Sequence, residues 1–320
     1  MEGILSCHSL NPTGQFTDTA KPVSLIQGQH HHFLEIMRLL SWNIQYGKGG
    51  ADGHIDLKRI ARVIRSRELP DVMGLQEISR WDPNTDSGAD QLEQLCQLFP
   101  EYQAFYGAAL ERSGGVDGKL RQFGNLILSR FTPTQVRHLP LTSPADAKAC
   151  SMPRMLSEVT VEADLGWMRF ATTHLEFFSP HQRKAQARRI RELHLEASAQ
   201  TRQPPQDRPE TPFTQVPQST SMIVCGDFNF LPDSTSYRLL TEAVKAPDHA
   251  LVDAWKRWQP EAPHPTTCGL HDVEQWPEGS HCRDFFFITN DRVDAVQKIE
   301  VDTETTASDH QPVWLELGKS

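Results

Sequence analysis

The sequence predicts an α+β or layered α/β domain built on mixed sheets. Three observations point there. Short apolar runs of strand length, bounded by turn residues, recur from residue 39 to residue 317. Helical spacing is confined to a few stretches between them. The proline-rich break at about 201–221, with Pro204, Pro205, Pro209, Pro212 and Pro217, falls inside this pattern rather than between two patterns. One domain is therefore expected over 37–320, with an exposed insertion at 201–221.

The elements follow in order. Residues 39–44 read as a strand ending in the polar Asn43. Asp56 then caps a helix in which Leu57, Ile60, Ala61 and Ile64 keep helical spacing, and Pro70 lies beyond its end. Residues 71–75 form a second strand leading into Gln76-Glu77, 90–99 a helix, and 102–106, 123–129, 156–163 and 167–173 further strands. Ser179-Pro180 is a helix start, a capping hydroxyl followed by proline in the first turn, and the helix runs to about 199. Residues 222–225 are a buried strand, 234–240 a short helix, and 285–289, 293–301 and 312–317 the closing strands.

Composition excludes several classes. The longest apolar runs, at 222–225 and 285–288, fall far short of the ~20 residues that span a bilayer. Fifteen Phe and seven Trp can fill a core, which argues against low-complexity disorder. Six cysteines without a CxxC pair fit reduced thiols, hence a cytoplasmic protein, better than a disulfide framework. The net charge of −9 argues against gripping bulk nucleic acid, though it leaves a local basic patch open. No obligate protein partner is evident. Residues 1–36 lack the basic and apolar blocks of a signal peptide. Either they are a loose extension or translation starts at Met37, a choice that the intact mass of the native protein decides. His30-His31-His32 within them is read as a bland polar run.

Polar residues recur where the apolar strands end: Asn43, Glu77, His174, Asp227, Asn229, Asp284, Asp309 and His310. Strand ends hold side chains rigidly, and distant segments can converge at one rim of a sheet. Mg²⁺ needs one or two carboxylates, leaving its other positions to water and phosphate, and Glu77 with Asp309 could supply them. Hydrolysis also needs a group to orient or deprotonate water, for which Asp227 is suited. It further needs a histidine whose charge a carboxylate sets, for which Asp284 with His310 is suited.

The ordered set of motifs resembles the endonuclease/exonuclease/phosphatase superfamily of metal-dependent phosphoesterases. It stands here as Ser41-Trp42-Asn43-Ile44, Leu75-Gln76-Glu77, Gly124-Asn125-Leu126-Ile127-Leu128-Ser129, Thr173-His174-Leu175, Gly226-Asp227-Phe228-Asn229, Arg283-Asp284-Phe285 and Ser308-Asp309-His310. The resemblance implies a four-layer α/β/β/α sandwich, two packed mixed sheets flanked by helices, with the site at one end. It implies Mg²⁺ or Mn²⁺ held by Glu77, with Asp309 as a second or water-mediated ligand and Asn43 beside the metal. It implies Asp227 positioning the attacking water, Asn229 and His174 contacting the phosphoryl group, and His310, oriented by Asp284, stabilising developing charge. Either Asp227 or His310 could be the base.

The abasic-site repair branch typically has Asp where this chain has Gln45, and Lys or Arg soon after the Gln-Glu where it has Ile78-Ser79-Arg80. Thr173-His174-Leu175-Glu176 and Leu251-Val252-Asp253-Ala254-Trp255 look more like the branch containing tyrosyl-DNA phosphodiesterases, sphingomyelinases and deadenylases. The expected activity is phosphodiester hydrolysis of a nuclease-like kind on a phosphoester substrate such as nucleic acid. A phosphatase or lipid phosphoesterase, and a catalytically inactive binding module, stand as alternatives. Three substrate contacts are open: Arg154, which could equally pair with a carboxylate; Trp276, over the mouth of a loop at 266–282; and Arg183, in a basic helix face that also reads as merely solvated. A zinc site among His264, Cys268, His271, His281 and Cys282 is conceivable, but the spacing matches no standard finger.

Overall fold

A computed structural model describes residues 36–318 apart from 273. The expectations for 1–35, including the three histidines, lie outside the described residues. Among the described residues twelve strands form two six-stranded sheets. The first sheet holds β1 (Ile36–Asn43), β2 (Val72–Arg80), β3 (Gln103–Arg112), β4 (Arg121–Ser129), β11 (Val296–Val301) and β12 (Val313–Gly318), in the order β11-β12-β1-β2-β4-β3. The second holds β5 (Gln135–Pro140), β6 (Met155–Ala163), β7 (Gly166–His174), β8 (Met222–Asp227), β9 (Leu251–Asp253) and β10 (Asp284–Thr289), in the order β5-β6-β7-β8-β10-β9.

The two sheets share one plan. At the centre of each lies a parallel pair, β1 with β2 and β7 with β8, flanked on both sides by antiparallel strands. A parallel neighbour requires a crossover, and helices supply it. α1 (Leu57–Arg65) joins β1 to β2, and α3 (Pro180–Arg202) joins β7 to β8. Asp56 accepts the Arg59 N–H to cap α1, and Ser179 accepts the Gln182 N–H to cap α3 with Pro180 in its first turn. α2 (Gln91–Leu98), α4 (Thr235–Leu240) and α5 (Ala254–Trp258) complete the helices.

Burial on both faces explains the near-continuous apolar strands. Met37, Leu39 and Val72 meet Phe170, Ile223 and Phe286 between the sheets. Leu40 and Trp42 turn outward to Ile60 and Ile64 of α1. Met222, Val224 and Phe287 turn outward to Ala187, Ile190 and Leu193 of α3, whose spacing places them on one helical stripe. The expected four-layer sandwich is what forms. Between the sheets, Gln76 Nε2 donates to Thr172 Oγ1 at 2.8 Å, a polar tie across the apolar layer.

The structure departs from the sequence reading at two strands. β5 was not foreseen, because Gln135, Arg137 and His138 on a half-exposed edge lack an apolar run. β9, with three residues, is too short to carry periodicity. The proline-rich stretch is irregular from residue 203 to its junction with β8.

Gly226 is the penultimate residue of β8, paired with Thr173 on one side and Phe285 on the other. Its φ is +143°, and a Cβ there would lie inside the radius of the Thr173 carbonyl oxygen. Gly226→Ala is expected to destabilise the fold by about 3 kcal/mol or more, since strain and a backbone clash coincide. Urea unfolding followed by circular dichroism checks this.

Candidate active site

Both parallel pairs run toward the same rim, and their carboxyl ends carry the polar residues. Asn43 ends β1, His174 ends β7 and Asp227 ends β8, with His174 paired to Asp227 in register. Glu77 needs a special device, because a regular strand would alternate it away. β2 carries an irregularity against β4 between Leu75 and Ile78, and Glu77 there has φ +63°. A bulge of this kind re-aims a side chain. Gln45, Tyr46 and Asn229 also have positive φ, so strained backbone gathers around this rim.

The side chains meet closely. Asn43 Nδ2 donates to Glu77 Oε1 at 2.9 Å and to Asp227 Oδ2 at 3.1 Å. The amide oxygen that would face a cation instead accepts the Gln45 N–H at 3.0 Å, so Asn43 bridges two carboxylates. Asp227 Oδ2 lies 3.4 Å from His174 Nε2 and 3.6 Å from His310 Nε2, and Asp227 Oδ1 accepts the Asn229 N–H at 2.9 Å. Asn229 Nδ2 stands 3.0 Å from His174 Nε2 and donates to the Leu175 carbonyl at 3.0 Å. His310 Nδ1 is 2.8 Å from Asp284 Oδ2. Asp227, Asp284 and His310 offer ligand atoms within 4.8 Å of one another. Since both imidazole nitrogens face a carboxylate, however, this trio reads as an oriented histidine rather than a bare cation site.

Electrostatics sort these groups. Burial pushes Glu77 up to about 7, reinforced by the Asp309 carboxylate, and only a fifth of its side chain reaches solvent. Burial also raises Asp309 and lifts Asp284 to about 6. Burial alone would pull His310 down, but Asp284, Asp227 and Asp309 together hold it well above the ordinary imidazole range. Asp227 falls below the usual carboxylate value because His310, His174 and the Asn229 N–H outweigh its burial. His174 drops to about 3, from burial and then the nearby Arg154, and so is neutral.

The donor set around Glu77 and Asp309 fits a divalent cation. Among the described residues no Lys or Arg comes within 4.0 Å of Glu77, Asp227, Asp284 or Asp309. Glu77 accepts a single side-chain hydrogen bond, from Asn43. Crowded carboxylates with hard oxygen atoms and no cationic partner match what Mg²⁺-type ions require. Asp309 is oriented by Gln275, which the sequence reading missed, and by Gln45 and Trp276, which it had placed in other roles. Gln275 Nε2 donates to its Oδ2 at 2.6 Å, Gln45 Nε2 donates to Gln275 Oε1 at 2.9 Å, and Trp276 Nε1 lies 3.3 Å from the same Oδ2.

That places Trp276 differently from expectation. Its ring is 2% exposed, packed 5.7 Å from His310 and 5.6 Å from Phe177, because its N–H needs a buried acceptor and finds Asp309. It is a buried support, not a surface over the mouth. Arg154 pairs with the buried Glu176 at 3.3 Å while its Nη1 has no partner. Arg183 Nη1 donates to the carbonyls of Glu176 and Phe177 at 2.6 and 2.7 Å. The conceivable zinc ligands are engaged separately, His264 with Asp253 at 2.7 Å and His271 with the Thr303 carbonyl at 2.8 Å. Thr267 was also missed: its hydroxyl donates to Asp284 Oδ2 at 2.6 Å and accepts the N–H groups of Arg283 and Asp284. A threonine in a polar loop carries no signal for this in sequence.

Residues 40–310 match the Endonuclease/Exonuclease/phosphatase family, and the chain belongs to it. Its members are hydrolases acting on phosphoester bonds, generally dependent on divalent metals. Similar solved structures include an endonuclease/exonuclease/phosphatase from Beutenbergia cavernae DSM 12333, 25% identical with a TM-score of 0.63 over 88% of this chain and 71% of that one. The Bacteroides thetaiotaomicron mannosyl-6-phosphatase Bt3783 is 19% identical, with a TM-score of 0.58 over 88% and 99%. The human Nocturnin catalytic domain with bound sulfate anion is 19% identical, with a TM-score of 0.55 over 88% and 94%. Comparison with curated proteins finds no match.

Gln275→Ala removes the shortest hydrogen bond to Asp309. It is expected to weaken Mn²⁺ binding about tenfold, the low end for a group that orients a metal ligand, measured by calorimetric titration of the apo protein.

Proposed function

We propose that this chain is a Mg²⁺- or Mn²⁺-dependent phosphodiesterase of nuclease-like type. One observation carries the reading: six polar groups from distant segments, Glu77, Asp227, Asn229, Asp284, Asp309 and His310, are brought to one rim where the parallel strand pairs end. Glu77 and Asp309 would hold the cation, with Asn43 keeping Glu77 beside Asp227. The bound cation would neutralise phosphoryl charge and lower the barrier to attack.

The chain's own groups then divide the work. Asp227 stays ionised, fixed by Asn43 and the Asn229 N–H, and so is suited to align a water and accept its proton. His310 keeps its proton, locked by Asp284, which Thr267 holds in turn. Its Nε2 faces the space beside Asp227, where an imidazolium stabilises charge growing on the phosphoryl oxygens. Neutral His174 and the Asn229 amide would complete the contact with the ester. The completeness of this apparatus speaks against an inactive binding module. Among the described residues no helix is long and apolar enough to cross a membrane. A cytoplasmic location is proposed from the thiols of Cys96, Cys150, Cys225, Cys268 and Cys282, which are free.

Asp227→Ala and His310→Ala are each expected to lower kcat on bis-p-nitrophenyl phosphate by ~10²-fold or more, and EDTA to abolish turnover until Mg²⁺ or Mn²⁺ is restored. Hydrolysis of p-nitrophenyl phosphate in preference to the diester, in the same assay, would favour the phosphatase alternative instead. Turnover of wild-type size in both variants would place the chemistry elsewhere.

A further inference from the structure

A cleft of about 550 Å³ opens beside the rim, between the start of α3 and the loop that leads from β8 to α4. Asn229 forms its inner wall, and every charged or titratable group lining it is basic: His181, Arg183, Lys184 and Arg283. This occurs in a chain of net charge −9.

Several cations of α3 fall into two groups, with the exposed Arg188 in neither: it has no carboxylate within 4.0 Å among the described residues and does not line the cleft. Away from the cleft, Arg189 is paired with Glu192 and Glu196, and Arg191 with Glu242. Those are the ion pairs of a solvated helix face. Toward the cleft, neither Arg183 nor Lys184 has a carboxylate within 4.0 Å among the described residues. Arg183 is anchored by two backbone carbonyls, which fix its guanidinium without neutralising it. Arg283 is held in the same way. Its guanidinium lies over the rings of Trp276 at 5.0 Å and Phe177 at 5.3 Å, its Nε donates to His281 Nε2 at 2.6 Å, and its Nη1 donates to the Asn229 carbonyl at 3.2 Å. The nearest carboxylate to Arg283, Glu278, is 3.9 Å away and half-exposed. Guanidinium groups positioned by neutral partners keep donors and charge for a ligand, and phosphate is the anion whose geometry they match.

Position sets the ligand. Arg283 touches Asn229, and Asn229 touches His174, so an anion in the cleft lies one step along a chain from the ester at the rim. A repeating phosphate backbone provides that second charge. Phe178, 61% exposed just ahead of α3, and Leu231, 49% exposed on the lining, offer apolar surface on which bases can rest.

We propose that this cleft is a subsite for a single-stranded polynucleotide, in which Arg183, Lys184 and Arg283 take the phosphate next to the scissile one. The proposal rests on the phosphodiesterase reading above and names its substrate class. The test is fluorescence anisotropy with the full chain and a labelled single-stranded oligonucleotide in EDTA, which keeps the strand intact. Lys184→Gln, at an exposed position, is expected to weaken binding about five- to tenfold at low salt and to reduce the slope of log Kd against log salt by about 0.7, the loss of one single-strand phosphate contact. Arg183→Lys, which keeps the charge, retains most of the salt slope, and Arg189→Gln, on the paired face, shifts Kd less than twofold. Equal affinity and slope for Lys184→Gln and wild type would overturn the proposal. So would binding to phosphoinositide vesicles with none to the oligonucleotide. If the strand binds as described but no diester is cleaved with Mg²⁺ or Mn²⁺, the subsite stands and the hydrolytic reading fails. If bis-p-nitrophenyl phosphate is cleaved but binding ignores Lys184, the reverse holds.

Discussion

Four carboxylates, Glu77, Asp227, Asp284 and Asp309, crowd one rim of the sandwich with His310 as their principal cationic neighbour. Burial makes each of them costly to ionise, and mutual repulsion adds to that cost. The site relieves the load in two ways. On the Asp227–Asp284 side an imidazolium sits between the acids, each ring nitrogen facing one of them. On the Glu77–Asp309 side His310 acts only from a distance, no Lys or Arg lies within 4.0 Å among the described residues, and the groups that donate are neutral: amides, an indole and the Ser308 hydroxyl. The second half is therefore electrostatically incomplete by itself, which is the property expected of residues that hold a hard divalent ion.

The architecture exists to bring about that crowding. In each sheet a parallel pair with its crossover helix points its carboxyl ends to the same side, and stacking the sheets brings the two sets of ends together. Local irregularities finish the aim. The bulge at Gln76-Glu77 turns Glu77 to the rim, Gly226 admits the close approach of the Thr173 carbonyl just before Asp227, and positive φ at Asn229 folds its N–H back onto that carboxylate. These strained positions are tolerated because apolar packing on both faces of the central strands over-determines the backbone.

Much of this was legible in the sequence, for identifiable reasons. Strands buried on both faces leave long apolar runs, so β1, β4, β6, β7, β8 and β10 stood out, and helix caps at Asp56 and Ser179 marked α1 and α3. The polar residues ending those runs are the ones that converge. What escaped were elements without a buried face, such as β5, and groups whose role is set by a partner far along the chain. Thr267 and Gln275 act only through Asp284 and Asp309, and nothing in their own neighbourhood announces it; Gln45, next to the Asn43 motif, was visible, but its link to Asp309 through Gln275 was not. Trp276 was noticed as a loop aromatic, but its N–H drew it inward to Asp309. The basic helix face read as uniform in sequence, whereas in the structure Arg189 and Arg191 are ion-paired and Arg183 and Lys184 line a cleft.

The account is tested most directly by locating the ion. Crystals soaked in Mn²⁺ and measured at the manganese absorption edge should show an anomalous peak against the carboxylates of Glu77 and Asp309, with His310 still hydrogen-bonded to Asp284. A peak enclosed by Asp227, Asp284 and His310, or none at this rim at millimolar Mn²⁺, would contradict it.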